Sequence, residues 1–157
     1  MVSPFGEIEP SYEYSLDDLA KMLNCPKDLE KANRIARATL HTLRAHLSLD
    51  DAISVLKLLP LPLKRIFIEN WNLKKAIEPP FGVKSFIHDV QVSAGRIAFY
   101  DFPTEEATDF SIRTVLQYVE LKISEHGKEQ LRELMPLPLR SFLPPILPIN
   151  LSFISQN

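Results

Sequence analysis

Two stretches decide the fold: Leu58-Leu59-Pro60-Leu61-Pro62-Leu63-Lys64 and Leu134-Met135-Pro136-Leu137-Pro138-Leu139-Arg140. They are not isolated echoes. Placing residue n against residue n+76 aligns residues 36–67 with 112–143 without a gap. Identities include Arg37/Arg113, Leu40/Leu116 and Ser48/Ser124, and Leu43/Val119, Leu47/Ile123 and Lys64/Arg140 are conservative pairs. Repetition of this kind marks a duplicated supersecondary unit whose copies bury their apolar faces together.

Outward from these strings, each unit reads as helix. Ser15 is placed to cap Leu16 to Leu23, with Asp18 at capping-box spacing. Pro26 suits the start of a long helix, where its missing N–H costs nothing. Along that helix Leu29, Ala32, Ala36, Leu40, Leu43 and Leu47 recur three or four apart, one apolar stripe. Ser48 caps a third helix packed through Ile53, Val55, Leu56 and Leu59; Pro60 stops it and Pro62 opens a fourth with Ile66, Phe67 and Trp71 as anchors. The second copy repeats the plan: Val83 to Val92, then a long helix opened by Pro103-Thr104 with Ile112, Val115, Leu116, Val119 and Ile123 as its stripe, then a helix capped by Ser124 and ended by Pro136.

Two segments depart from the plan. Residues 96–102 (Arg-Ile-Ala-Phe-Tyr-Asp-Phe) are an insertion relative to the first unit, and in the C-terminal tail Leu147, Ile149, Leu151 and Phe153 alternate strictly. Period two means an extended chain with one buried side, so the tail is expected to pair with a short strand near 96–102, within a chain or between chains. The expected fold is all-α, two similar four-helix units on one core with an extended tail. Its segments are an acidic arm (1–14), unit one (15–72), a linker (73–82), unit two (83–143) and the tail (144–157).

Composition narrows function mainly by exclusion. The 157 residues are 45% hydrophobic and 24% charged, enough for a core and too apolar for a disordered chain. Thirteen prolines against four glycines argue for rigid junctions and against a Gly-rich phosphate loop. A net charge of −2 gives no global pull toward nucleic acid or anionic membrane. Cys25 is alone, so no intramolecular disulfide or CxxC site exists. No apolar run approaches the ~20 residues of a bilayer span, and the N-terminus lacks the basic and apolar regions of a signal peptide, so a reducing cytoplasm is the expected compartment.

The stretch Arg37-Ala-Thr-Leu-His-Thr-Leu-Arg-Ala-His-Leu-Ser48, followed by Leu59-Pro-Leu-Pro-Leu-Lys64 and closed by Trp71, resembles a bacterial family known as domain of unknown function 2267. Members combine a long helix of the type A-L-x-x-L-R-x-x-L, a second helix, an L-P-x-x-(L/I)-(K/R) step, an aromatic patch and a Trp. The resemblance is good over residues 16–71 and weaker over 83–143, where Glu120 replaces Arg44 and no Trp follows Arg140. It implies an α-helical bacterial protein without an assigned activity, and it brings no catalytic residues.

Candidate chemistry is sparse. His41 and His46 point about 140° apart on a helix and cannot share a metal; His88 and His126 have only adjacent acids, so all four are expected at the surface and no metal site is expected. Ser15, Ser48 and Ser124 are engaged as caps, and Cys25 has no histidine near it in sequence. The acid pairs Asp17/Asp18, Asp50/Asp51 and Glu105/Glu106 sit in first helical turns, where they favourably oppose the helix dipole. Neither catalysis nor a cofactor is expected.

Binding remains. Phe142 to Ile154 carries no charge, an apolar strip of unusual size if left in water. The expected function is a protein–protein interaction or self-association module, its contact formed by Phe110, Tyr118 and Leu121 of the second long helix with Ile146, Leu147, Ile149, Leu151 and Phe153 of the tail. One alternative is a helical pocket for an apolar small molecule between the units. Another is nucleic-acid binding through the acid-free helix 31–46 and its Lys31, Arg34, Arg37 and Arg44, although few exposed aromatics are expected there to stack bases.

Overall fold

The structure, a computed structural model, describes residues 15–73 and 82–145. These residues form eight α-helices and two 3-10 helices, with no strand among them. In chain order they are α1 (Asp17–Met22), α2 (Leu29–Ala45), α3 (Leu49–Leu58), α4 (Leu61–Ile68), α5 (Val83–Ala94), a 3-10 turn (Gly95–Ile97), α6 (Ala98–Asp101), α7 (Glu105–Leu121), α8 (Glu125–Leu134) and a 3-10 helix (Leu137–Phe142).

Local chemistry sets most boundaries. The side chains of Ser48, Thr104 and Ser124 accept hydrogen bonds from the backbone N–H groups of Asp51, Ala107 and Gly127 at 3.0–3.1 Å, satisfying donors that the first turn leaves orphaned. Pro60 and Pro136 precede the short elements and Pro62 and Pro138 lie within their first turns. The bounds of α2 and α7, and of α3 and α8, correspond at the offset of the sequence alignment.

The long helices α2 and α7 pack against each other, and α3 packs against α8. The α1 helix lies on both α2 and α7, while α5 lies on both as well. Each half therefore lends its first helix to the long helix of the other. His46 and Lys122, which align, express this in polar form. His46 Nε2 is 3.3 Å from Asp89 on α5, and Lys122 Nζ is 3.4 Å from Asp18 on α1. One apolar cluster runs through the described residues, with Phe67, Phe86 and Phe142 the largest fully buried side chains.

Four expectations need correction. Pro26 does not open α2: Lys27 takes a left-handed φ of 69°, and the Asp28 carboxylate caps the helix from the Lys31 N–H at 3.1 Å. Leu29, in the first turn of α2, is exposed and does not belong to the buried stripe; Ile53 on α3 is exposed too. The segment 96–102 is not a strand. Gly95 ends α5 at a φ of 68°, and a 3-10 turn leads into α6. Phe99 and Tyr100 both face solvent while Asp101 and Phe102 are both buried, whereas a strand alternates faces at every residue. The tail from Ile146 onward lies outside the described residues.

Candidate functional site

The basic run of α2 is largely consumed inside the molecule. Arg34 donates from Nε and Nη2 to the Asp101 carboxylate at 2.8 and 3.0 Å. Arg37 makes the same two-pronged contact with Glu69 at 2.7 and 3.3 Å. Arg44 Nη1 donates to the carbonyls of Phe67 and Glu69. Lys31 Nζ sits 4.7 Å from the centroid of the Tyr100 ring. A phosphate backbone needs free cations, and here Arg34 and Arg37 are each held by a carboxylate in fork geometry while Arg44 is tied to two carbonyls.

Around the C-terminus of α4 these contacts form one clamp. A helix leaves its last carbonyls without intrahelical donors. Here His41 Nε2 meets Ile66 O at 2.6 Å, Arg44 takes Phe67 O and Glu69 O, and Arg37 holds the Glu69 side chain. Trp71 closes the group, edge-on to Phe67 at 5.6 Å and beneath the Arg44 guanidinium at 5.6 Å. His41 and His46 are thus not surface histidines; the former is half-buried and the latter buried. Spacing along one helix could not show this, because the groups they approach, the Ile66 carbonyl and the Asp89 carboxylate, come from elsewhere in the chain.

Burial pushes the His41 imidazole below its ordinary value, and the hydrogen bond to Ile66 only partly opposes that. The hydrogen bond from Arg37, backed by its charge, holds the Glu69 carboxyl below the usual range despite desolvation. A histidine with a depressed folded pKa makes the unfolded chain the better proton binder, so stability falls as pH drops through the unfolded value near ~6.5. Glu69 adds a second loss at lower pH, as acidity passes its unfolded value near ~4.3. Thermal melting is therefore expected at lower temperature at pH 5.5 than at pH 7.5. His41→Gln is expected to flatten that difference while keeping a donor to Ile66 O, as Gln117 stands at the aligned position. Equal pH dependence in both proteins would remove His41 from this role.

The most conspicuous surface feature was not expected. Phe99 is 78% and Tyr100 54% exposed on the short α6. They are rigidly displayed, because the next two residues anchor the segment: the Asp101 side chain is fully buried in its pair with Arg34, and Phe102 is in the core. Gln91 Nε2 also donates to Phe102 O at 3.2 Å. Two outward aromatics on two inward anchors form a knob.

Of the residues expected to form an interface, Phe110 and Leu121 are exposed, 43% and 64%, and lie on one line of α7. Tyr118, by contrast, is 3% exposed and belongs to the core, because it points to the side of α7 that meets α1 and the Pro60–Pro62 turn. Ile146, Leu147, Ile149, Leu151 and Phe153 lie outside the described residues. The cleft between α3 and α8, about 520 Å³, is lined by Ser54, Lys57, Gln130 and Glu133 beside Leu58 and Leu134, a mixed surface rather than an apolar chamber.

Burial raises the Cys25 thiol, with Lys31 opposing, so the thiolate is not favoured. Among the described residues no three His, Cys, Asp or Glu side chains converge to hold a metal ion. No described helix is long and apolar enough to cross a membrane.

The sequence matches one family profile, described as an uncharacterised conserved protein (DUF2267), over residues 13–142. The chain belongs to the DUF2267 family. The match spans both halves and stops before the tail, so the interleaved helices fall within one family unit. No curated protein matches the sequence. In this DUF2267 protein the motif residues Arg37, Arg44 and Trp71 build the clamp on α4. The second half has Glu120 and no Trp at the corresponding places, and its last element is a 3-10 helix.

Proposed function

We propose that this DUF2267 protein works by binding protein, without catalysis, and that Phe99 and Tyr100 are its anchors. The observation that carries the reading is their exposure on a segment fixed by the Arg34–Asp101 pair, whose carboxylate is fully buried. Aromatic side chains already held in place lose little freedom on docking and supply large contact area, which is why they dominate interface energetics. Around them, the α2 cations serve internal partners and Cys25 is disfavoured as a thiolate.

A second copy of the chain is the first partner to test. Light scattering of the full-length protein over a concentration series is expected to give a mass above the 17.9 kDa monomer at the upper end. Phe99→Asp is expected to return it to the monomer with an unchanged melting temperature, since the side chain is exposed. The same mass for both proteins at every concentration would overturn self-association through this knob. Phe110 and Leu121, with the tail, remain a second binding surface in this reading, supported by their exposure on one line of α7. Phe110→Asp distinguishes it, because only that surface would respond.

A further inference from the structure

Where α7, α8 and the last 3-10 helix meet, a cleft of about 480 Å³ opens. Arg113, Gln117, Arg132, Arg140, Ser141 and Pro145 line it, and among the described residues no carboxylate does. The three guanidiniums are held by backbone. Arg113 Nη1 donates to Ser141 O at 2.6 Å, Arg132 Nη2 to Pro144 O, and Arg140 to Met135 O and Glu133 O at 3.2 and 3.3 Å. Each arginine has five N–H donors in a planar fork, so these bonds fix the planes and leave donors over.

One of the three guanidiniums already has an acid partner and a second lies near one. Asp109 takes Nε of Arg113 at 2.9 and 3.0 Å from within α7, and Glu120 is close enough to Arg132 to feel its charge. Among the described residues, neither Arg132 nor Arg140 forms an ion pair.

The first half of the same chain shows what such an arrangement holds. Arg37 aligns with Arg113, and its fork is occupied by the carboxylate of Glu69. At the same offset the second half has Pro145 in place of Glu69, and Arg132 and Arg140 in place of Leu56 and Lys64. The carboxylate at the Glu69 position is gone; Asp109, where the first half has Asn33, takes Nε of Arg113 instead, and Arg132 adds a guanidinium that has no ion-pair partner among the described residues. We propose that this cleft is a binding site for a carboxylate-bearing ligand, held by the remaining N–H groups of Arg132 and Arg140 with Arg113 beside them. The site is separate from the Phe99 knob and does not depend on it.

Two sources can supply the carboxylate: a free small acid, or the Glu7, Glu9 and Glu13 of the chain's own acidic arm. The test is calorimetric titration of the full chain with succinate at low ionic strength, with inorganic phosphate as the comparison. Succinate is expected to bind, and more tightly than phosphate. Pro145→Glu restores the first-half carboxylate on an exposed position and is expected to weaken succinate at least tenfold with no loss of melting temperature. Arg140→Gln is expected to weaken it similarly. If the arm is the natural occupant, the full chain with Glu7, Glu9 and Glu13 all changed to Gln binds succinate more tightly than wild type; equal affinity assigns the site to a free acid. No succinate binding in either background, tighter phosphate binding, or affinity untouched by both Pro145→Glu and Arg140→Gln would overturn the proposal.

Discussion

Replacing Arg34 with alanine is expected to cost about 3 kcal/mol of folding stability, seen as a fall in melting temperature of about 6–12 °C. The cause is what the substitution leaves behind. Asp101 has a fully buried carboxylate whose two oxygens are met by Arg34 Nε and Nη2. Without the guanidinium, that carboxylate must either stay charged away from water or take up a proton at a cost. The lower end of the range for broken buried pairs applies, because Arg34 itself is about a third exposed and water softens the loss. Exchanging both partners, Arg34→Met with Asp101→Leu, is expected to recover most of the stability, since two apolar groups leave nothing unpaired. Urea unfolding of the three variants measures this. A loss below about 1 kcal/mol in Arg34→Ala would mean that the pair is not the anchor of α6.

Phe86→Ala is expected to be at least as damaging, at about 3–5 kcal/mol. Phe86 is buried on α5, with its ring 6.1 Å from His46 at the end of α2 and 5.6 Å from Phe142 in the last 3-10 helix. It thus joins parts of both halves, and neighbours anchored on separate elements cannot collapse easily into the vacancy. Domains are stable by only about 5–15 kcal/mol, so this variant is expected near the edge of folding at 37 °C. Chemical denaturation at 25 °C gives the value. A loss under about 1.5 kcal/mol would show that the site closes around the cavity and that α5 is not the keystone between the halves.

Much of the architecture can be read from the sequence because capping and periodicity are local. Ser48, Thr104 and Ser124 announce helix starts, and the paired Leu-Pro strings announce junctions. What cannot be read is the number of sides on which a helix is covered. The α2 stripe was legible, but Thr39, Thr42 and Ala38 are buried as well, because α4, α5 and α7 surround the helix. Tyr118 is misjudged for the same reason: an off-stripe aromatic looks exposed until the neighbouring α1 and the Pro60–Pro62 turn are placed. The arginines of α2 look like a cationic face, and only the fold brings Asp101, Glu69 and the carbonyls of α4 to them. Residues 96–102 show mixed apolar and polar residues over seven positions, too short to separate a helical turn from a strand. The buried Asp101 beside the buried Phe102 decides it, and burial is a property of the folded chain.

Hydrogen–deuterium exchange of the full-length protein, compared at low and high concentration, tests the binding role most directly. The account predicts slowed exchange at high concentration centred on residues 97–102, and its disappearance in Phe99→Asp. Exchange at 97–102 that is the same at both concentrations, or protection confined to α7, would contradict it.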